Sequence, residues 1–199
     1  MSDGGPANAI ARITTEVFAP AYLAVLLVAA ISWHSAATWI SALLWAIHAV
    51  FFGAVIPLGF IYYGIRQGWW GDRHVRERAL RRWPLLVGLV SVAAGTATGL
   101  AYGGPRDLAV LGAVMGASLG VMLIVTDRLE VKASMHTFVA VITAAVATLY
   151  YGAIGAGIAW PLAAMVAWSR IRLDHHTPAQ VVVGALVGVA ATSVFVWSR

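Results

Sequence analysis

The stretch LAVLGAVMGASLGVMLIV, residues 108–125, contains no charged side chain and is long enough to cross a bilayer as a helix. About 20 consecutive apolar residues span the hydrocarbon core, where only helices or closed barrels satisfy the backbone polar groups. The stretch lacks the alternating pattern of a barrel strand. Its glycines at 112, 116 and 120 recur every fourth residue, a stripe that lets membrane helices approach closely. The sequence therefore predicts an all-α membrane protein.

The rest of the chain has the same character: hydrophobic residues make up 61%, charged residues 11%, and the mean hydropathy is +0.83. We predict one integral-membrane domain over residues 1–199, a polytopic transmembrane helix bundle. Because the fifth and sixth segments are short and separated only by a glycine-containing turn, six crossings remain an alternative to seven. The predicted segments are 17–33, 38–65, 83–102, 107–125, 136–151, 154–168 and 178–196.

The amino-terminal segment and the overall charge narrow the class further. Residues 1–15 are polar and do not resemble a cleavable export signal, so we expect the first crossing to stay in the mature protein. Cysteine is absent, which excludes disulfides and thiolate metal sites. The net charge of +5 favours contact with anionic lipid headgroups in a membrane chain, and we expect no nucleic-acid partner.

Basic residues are concentrated on one side of the predicted bundle. Seven crossings place residues 66–82, 127–135 and 169–177 on the same face as the amino terminus. By the positive-inside rule this face is cytoplasmic, and we expect the cell (plasma) membrane. An anion-binding site on that face would also collect arginines. The face holds 11 of the 13 Lys and Arg residues, namely Arg12, Arg66, Arg73, Arg76, Arg78, Arg81, Arg82, Arg128, Lys132, Arg170 and Arg172.

A polar connector, SRIRLDHHTPAQ at residues 169–180, separates the last two apolar segments. Ser169 and Arg170 are followed after five residues by His176, and four positions later by Gln180. This spacing resembles the third signature of the type 2 phosphatidic acid phosphatase (PAP2) superfamily, SRxxxxxHxxxD. Gln180 stands where that signature has Asp.

Two other signatures of the superfamily have weaker counterparts. KASMHT, residues 132–137, resembles the second signature, PSGH, through Ser134 and His136. DRHVRERALRRWP, residues 72–84, approximates the first signature, KxxxxxxRP, through Arg76 and Arg82, although Arg73 with Arg81 is an equally good register. The resemblance covers about residues 70–190. It implies a PAP2-like core within the predicted bundle of six to seven helices.

The resemblance also implies catalytic roles. His176 would be the nucleophile that forms a phosphohistidine, and His136 the general acid. Gln180 would orient the His176 ring in place of Asp. Residues 177–180, TPAQ, also spell a capping box with proline at the first helical position, so Gln180 caps the last helix, orients the histidine, or does both.

Phosphate binding requires preorganised positive charge and hydrogen-bond donors, because phosphoryl transfer spreads negative charge over the equatorial oxygens. Arginine offers a planar fork that matches those oxygens. For any arginine of residues 73–82, a headgroup contact is an alternative role. A metal held by His175 and His176 is disfavoured, so we expect no metal or cofactor. The phosphate-binding candidates are Arg170, Ser134, Ser169, Arg76, Arg82 and Lys132.

These implications predict a membrane lipid phosphatase. The expected substrates are a lipid phosphate or diphosphate of the phosphatidate, phosphatidylglycerophosphate or polyprenyl diphosphate type, and the expected partners are membrane lipids. One alternative is a PAP2-like isoprenoid diphosphate cyclase or transferase. Another is a non-catalytic membrane protein that binds anionic lipid. The oligomeric state has no signal in the sequence.

Overall fold

The computed structural model describes residues 5–71, 80 and 82–199. Within these ranges every regular element is a helix, which confirms the all-α prediction. The helices are α1 (Pro6–Val17), α2 (Pro20–Ser35), α3 (Trp39–Arg66), α4 (Arg82–Ala101), α5 (Arg106–Asp127), α6 (Met135–Arg172) and α7 (Pro178–Ser198).

The long helices define an integral-membrane protein. Among the described residues, the five helices α3 to α7 are long and apolar enough to cross a bilayer. A sixth span is present if α1 and α2, which are bent by 48° at a short break, form one broken crossing. The polytopic helical bundle expected from the sequence is therefore confirmed.

Helix α6 is interrupted at Gly152, whose φ of 59° and ψ of −139° are not helical. Trp160 Nε1 donates to Thr148 Oγ1 at 3.2 Å. In a continuous helix these residues would lie roughly 18 Å apart along the axis. The backbone of Gly155 likewise lies against the carbonyl of Ala147, too close for a Cβ. The chain therefore reverses at Gly152, and α6 is a helical hairpin.

The hairpin matches the predicted fifth and sixth segments. Its arms are residues 135–151 and 153–172, and the turn falls where the sequence has its glycine. Because the chain reverses, the beginning of the first arm and the end of the second lie at the same end of the hairpin. This end of the hairpin carries the second and third signatures.

The amino-terminal segment differs from the prediction. The sequence suggested a polar segment to residue 15 and a first crossing over residues 17–33, but the structure has α1 followed by α2. Both helices begin with proline, Pro6 and Pro20, whose fixed φ and missing N–H suit the first helical position. Phe18 and Ala19 form the break between them.

Contacts divide the chain into two compact units. Unit 1 comprises Met1–Leu23 and Lys132–Ser193, and unit 2 comprises Ala24–Val131 and Val194–Arg199. Unit 1 contains the hairpin, all of α1 and residues 178–193 of α7. The prediction of a single domain stays a prediction.

The core of unit 1 is the first arm of the hairpin. Phe138, Ile142 and Val146 are at most 2% exposed. Helix α7 approaches this arm through glycines, since a Cβ on Gly188 would lie 3.0 Å from the carbonyl oxygen of Phe138. A Cβ on Gly184 would collide with the carbonyl oxygen of Ser134 just before the arm. Gly184 and Gly188, four residues apart in α7, therefore permit close backbone contact.

Helix α1 also packs onto the hairpin. It buries a face of small residues, Ala11, Thr14 and Thr15, and exposes the larger Ile13 and Val17. Its buried face therefore faces the protein, while its large apolar side chains point outward. In a membrane protein that exposed face is suited to lipid contact.

Unit 2 shows how its membrane helices tolerate proline and glycine. Helix α3 widens into a π-helical turn at Phe51–Val55, just before Pro57, which cannot donate an N–H to the helix. Ser91 Oγ on α4 donates to the Phe52 carbonyl at 2.6 Å. A Cβ on Gly95 would contact the Phe52 side chain at 2.6 Å. The turn before Pro57 is thus irregular and is supported by α4.

Candidate active site

His176 lies in the connector between α6 and α7 and is 6% exposed. The backbone N–H groups of His175 and His176 both donate to the carbonyl oxygen of Arg170, each at 3.1 Å. These bonds complete the last turn of α6, with Asp174 in the left-handed region at φ 53°. The five residues between Arg170 and His176 in the third signature therefore fold back, so that the His176 backbone lies against that of Arg170.

The His176 ring is held through Nδ1. This nitrogen lies 3.0 Å from the carbonyl oxygen of Lys132 and 3.2 Å from Gln180 Oε1. Both neighbours are acceptors, so Nδ1 carries the hydrogen in these contacts. A neutral ring protonated at Nδ1 has an unprotonated Nε2. In the neutral ring, the contacts thus place the hydrogen on Nδ1 and the lone pair on Nε2.

Gln180 forms the capping box that the sequence suggested. Its Oε1 accepts from the Thr177 backbone N–H at 3.3 Å, and its own N–H donates to Thr177 Oγ1 at 3.3 Å. Because the Thr177 N–H requires an acceptor, the amide must present its oxygen to this side. The same oxygen faces the His176 ring. Gln180 therefore both caps α7 and contacts the histidine.

Ser134 is the N-cap of α6 and is fully buried. Its Oγ accepts from Thr137, from the backbone N at 3.4 Å and from Oγ1 at 3.1 Å. Both bonds use the lone pairs of the oxygen, so Thr137 does not consume the hydroxyl hydrogen of Ser134. The Ser134 backbone N–H donates to the carbonyl oxygen of Gln180 at 3.1 Å. This bond ties the start of α6 to the first turn of α7.

His136 and Lys132 flank Ser134 at the same end of the hairpin. His136 is the second residue of α6 and is 6% exposed. Lys132 Nζ donates to the carbonyl oxygen of His175 at 3.2 Å. Together with the bond from His176 to the Lys132 carbonyl, these contacts join the segment of the second signature to that of the third.

Arg170 belongs to the last turn of α6 and is 2% exposed. Its Nη1 donates to Thr15 Oγ1 at 3.4 Å. Ser169, which is fully buried, has its Oγ 2.9 Å from Thr15 Oγ1 and donates to the Val166 carbonyl at 2.7 Å. Sequence reasoning missed Thr15, because it lies outside every recognised signature.

The two arginines of the first signature, Arg76 and Arg82, are not among the described residues of unit 1. Arg82 belongs to unit 2, where its Nε lies 3.7 Å from Asp127 Oδ2 and its side chain is 59% exposed. Its guanidinium carbon is 5.8 Å from the centre of the Trp83 ring. The role of Arg82 at a phosphate stays a prediction. Arg76, like Arg73 and Arg81, lies outside the described residues.

This end of unit 1 carries side chains of the kinds that bind oxyanions. They are the buried imidazoles of His136 and His176, the Arg170 guanidinium, the Lys132 ammonium group and the Ser134 hydroxyl. Hydrogen bonds join the segments that carry them. Over residues 5–71, 80 and 82–199, no group of three or more His, Cys, Asp or Glu residues is arranged to hold a metal ion.

Fold and site together define a helical membrane protein with a buried cluster of histidine and arginine at one end of a hairpin. A model of the PAP2 superfamily matches residues 128–199, which include the second and third signatures. This match confirms the resemblance. The match supports phosphatase-type chemistry in general. No curated protein and no solved structure matches the chain. The matched segment includes neither α1 nor the region of the first signature.

Proposed function

We propose that this protein is a membrane lipid phosphatase that hydrolyses a lipid phosphate or diphosphate through a phosphohistidine intermediate. One observation carries the proposal beyond the family match. His176 Nδ1 faces two acceptors, the Lys132 carbonyl and Gln180 Oε1, so the neutral ring has its hydrogen on Nδ1 and its lone pair on Nε2, the atom that would attack phosphorus.

In the first step, His176 Nε2 attacks the terminal phosphorus. A nitrogen–phosphorus bond forms, and the bond from phosphorus to the bridging oxygen breaks. His136 donates a proton to the departing oxygen, which leaves as the lipid alcohol from a monophosphate or as the lipid monophosphate from a diphosphate. Hydrogen bonds from Nδ1 to the Lys132 carbonyl and Gln180 Oε1 stabilise the positive charge on the His176 ring.

In the second step, water attacks the phosphohistidine. Neutral His136 takes the proton from water, the nitrogen–phosphorus bond breaks, and inorganic phosphate leaves. His176 and His136 return to their starting protonation states. The cycle therefore needs no cofactor and no outside acid or base.

Positive charge and hydrogen-bond donors stabilise the phosphoryl group during both steps. Arg170 supplies a planar fork of donors, and its burial strengthens their interaction with an anion. Lys132 adds an ammonium group beside the connector, and Ser134 adds its hydroxyl hydrogen. Ser169 supports Arg170 through Thr15.

The membrane architecture favours a lipid substrate. Long apolar helices make up most of the described chain, and a lipid tail would enter laterally between them. Phosphatidate, phosphatidylglycerophosphate and polyprenyl diphosphates present the required terminal phosphate. We place the site at the cytoplasmic face of the cell membrane, because the predicted topology collects most basic residues there.

Phosphate release by the purified protein in detergent micelles tests the proposal. The panel comprises phosphatidate, phosphatidylglycerophosphate, a polyprenyl diphosphate and the soluble control glucose 6-phosphate, each with and without a chelator. We expect release from at least one lipid in both conditions. Substrate labelled with ³²P in the terminal phosphate should leave an acid-labile label on the wild type and none on His176→Ala.

Other outcomes would identify the alternative functions. A cyclised or transferred isoprenoid product would indicate a cyclase or transferase. Binding of the lipid phosphate without any release would indicate a non-catalytic binder. Either result would overturn the hydrolase proposal.

A further inference from the structure

Thr15 on α1 contacts both residues that begin the third signature, although they lie more than 150 positions further along the chain. Its Oγ1 is 2.9 Å from Ser169 Oγ and 3.4 Å from Arg170 Nη1. All three side chains are at most 2% exposed. This contact joins the amino-terminal helix to the connector that carries His176.

The hydrogen-bond directions in this cluster follow from the chemistry of its members. A guanidinium can only donate, so Thr15 Oγ1 accepts from Arg170. Ser169 gives its single hydroxyl hydrogen to the Val166 carbonyl at 2.7 Å, so its oxygen accepts from Thr15. The chain therefore runs from Arg170 through Thr15 and Ser169 to the Val166 carbonyl.

Each hydroxyl in this chain is used as donor and acceptor at once. Thr15 can accept from Arg170 and donate to Ser169 only while it has a hydroxyl. Valine at this position would keep the shape and remove both bonds. Because all members are buried, water cannot replace the missing partner at low cost.

We propose that Thr15 is a positioning residue for the phosphate site, which fixes the guanidinium of Arg170 so that its remaining donors face the phosphoryl group. The inference rests on the proposed function. It makes α1, which lies outside the segment matched to the PAP2 superfamily, a part of the site's support. Thr15 itself does not touch the substrate.

Isosteric substitution tests this role. Thr15→Val should weaken binding of vanadate, which mimics five-coordinate phosphorus, by about tenfold, because a buried hydrogen bond to a charged group is worth roughly that factor. Thr15→Ser keeps the hydroxyl and should bind vanadate like the wild type. Thr14→Val is the matched control, since Thr14 is a buried neighbour on the same helix at 3% exposure.

Binding is measured directly by calorimetry with purified protein in detergent, and phosphate release is measured in parallel. We expect Thr15→Val to lower kcat together with vanadate affinity, and Thr15→Ser to restore both. If Thr15→Val does not fold, Thr15→Ala and Thr15→Ser decide, because both lack the methyl group and only serine keeps the hydroxyl.

The outcomes separate this inference from the proposed function. A wild-type protein that neither binds vanadate nor releases phosphate overturns the proposed function, and this inference with it. A wild-type protein that does both, with equal vanadate affinity in Thr15→Val, overturns the positioning role alone. Equal losses in Thr15→Val and Thr15→Ser would also overturn it, since they would show a packing effect.

Discussion

Gln180 Oε1 lies 3.2 Å from His176 Nδ1, in the position where the family signature has a carboxylate. An amide oxygen holds the ring in the same tautomer, but it lacks the charge that stabilises an imidazolium. The carbonyl of Lys132, 3.0 Å from the same nitrogen, is the second orienting acceptor. The site therefore orients its proposed nucleophile with two neutral oxygens.

Gln180→Glu should raise the rate of phosphate release. Glutamate has the same shape and can still accept from the Thr177 N–H, so the cap of α7 is kept. The added negative charge makes the His176 ring more basic and lowers the barrier to phosphohistidine formation, for which we expect about a tenfold gain in kcat.

Gln180→Leu is the matched control for the added charge. It removes both acceptor bonds of Oε1 and should lower kcat and the melting temperature together, since an N-terminal capping bond and the ring contact are lost. A Gln180→Glu variant slower than the wild type would show that the pocket requires a neutral side chain.

His176→Ala should abolish phosphate release, because the proposed mechanism has no other nucleophile. His136→Ala should slow the release from lipid phosphates by roughly 100-fold to 10,000-fold, the usual contribution of a general acid or base. Circular dichroism should show both variants folded at the assay temperature. Phosphate release is measured under saturating substrate in detergent.

The two histidines differ in their dependence on the leaving group. The leaving group of an aryl phosphate such as p-nitrophenyl phosphate is a stable phenolate, which departs without needing a proton. The first step of His136→Ala should therefore be closer to wild type with this substrate, as a burst of p-nitrophenol, whereas His176→Ala should stay inactive. Full activity of His176→Ala on any phosphate ester would contradict the mechanism.

Arg170→Lys should weaken vanadate binding and phosphate release by at least about tenfold. Lysine keeps the positive charge but loses the planar fork and the donor to Thr15. Arg172→Lys is the control, because Arg172 lies in the same helical turn and is exposed. Wild-type vanadate affinity and phosphate release in Arg170→Lys would show that a positive charge suffices at residue 170 and that the planar fork is not required.

Much of the fold was predictable because lipid imposes strong rules on sequence. Long uncharged runs predicted the helices, and the glycine-containing turn predicted the reversal at Gly152. The spacing of Arg170, His176 and Gln180 identified the connector, because the signature depends on local chain geometry. These features are encoded by residues close in sequence.

The missing parts depend on contacts between distant residues. Thr15 has no motif, and its bonds to Ser169 and Arg170 become visible only when α1 packs on the hairpin. The spacing of Ala11, Thr14 and Thr15 along one helix face was the available signal for α1 itself. The Lys132 carbonyl orients His176 through its backbone, which no side-chain pattern reports.

Gly184→Ala tests whether the close approach of α7 assembles the site. A Cβ at residue 184 would collide with the Ser134 carbonyl oxygen, so the segment before α6 must move away from α7. That movement stretches the bond from the Ser134 N–H to the Gln180 carbonyl, now 3.1 Å, and the bond from His176 to Lys132. We expect phosphate release to fall by about tenfold or more, as for the loss of a positioning contact.

Gly157→Ala is the matched control. Gly157 lies in the second arm of the hairpin, and nothing stands within 4 Å of an added Cβ. Alanine there should keep full activity and raise stability by up to about 1 kcal/mol through helix propensity. Activity is compared at a temperature where circular dichroism shows both variants folded. Wild-type activity in a folded Gly184→Ala would show that the contact between Ser134 and α7 does not position the catalytic groups.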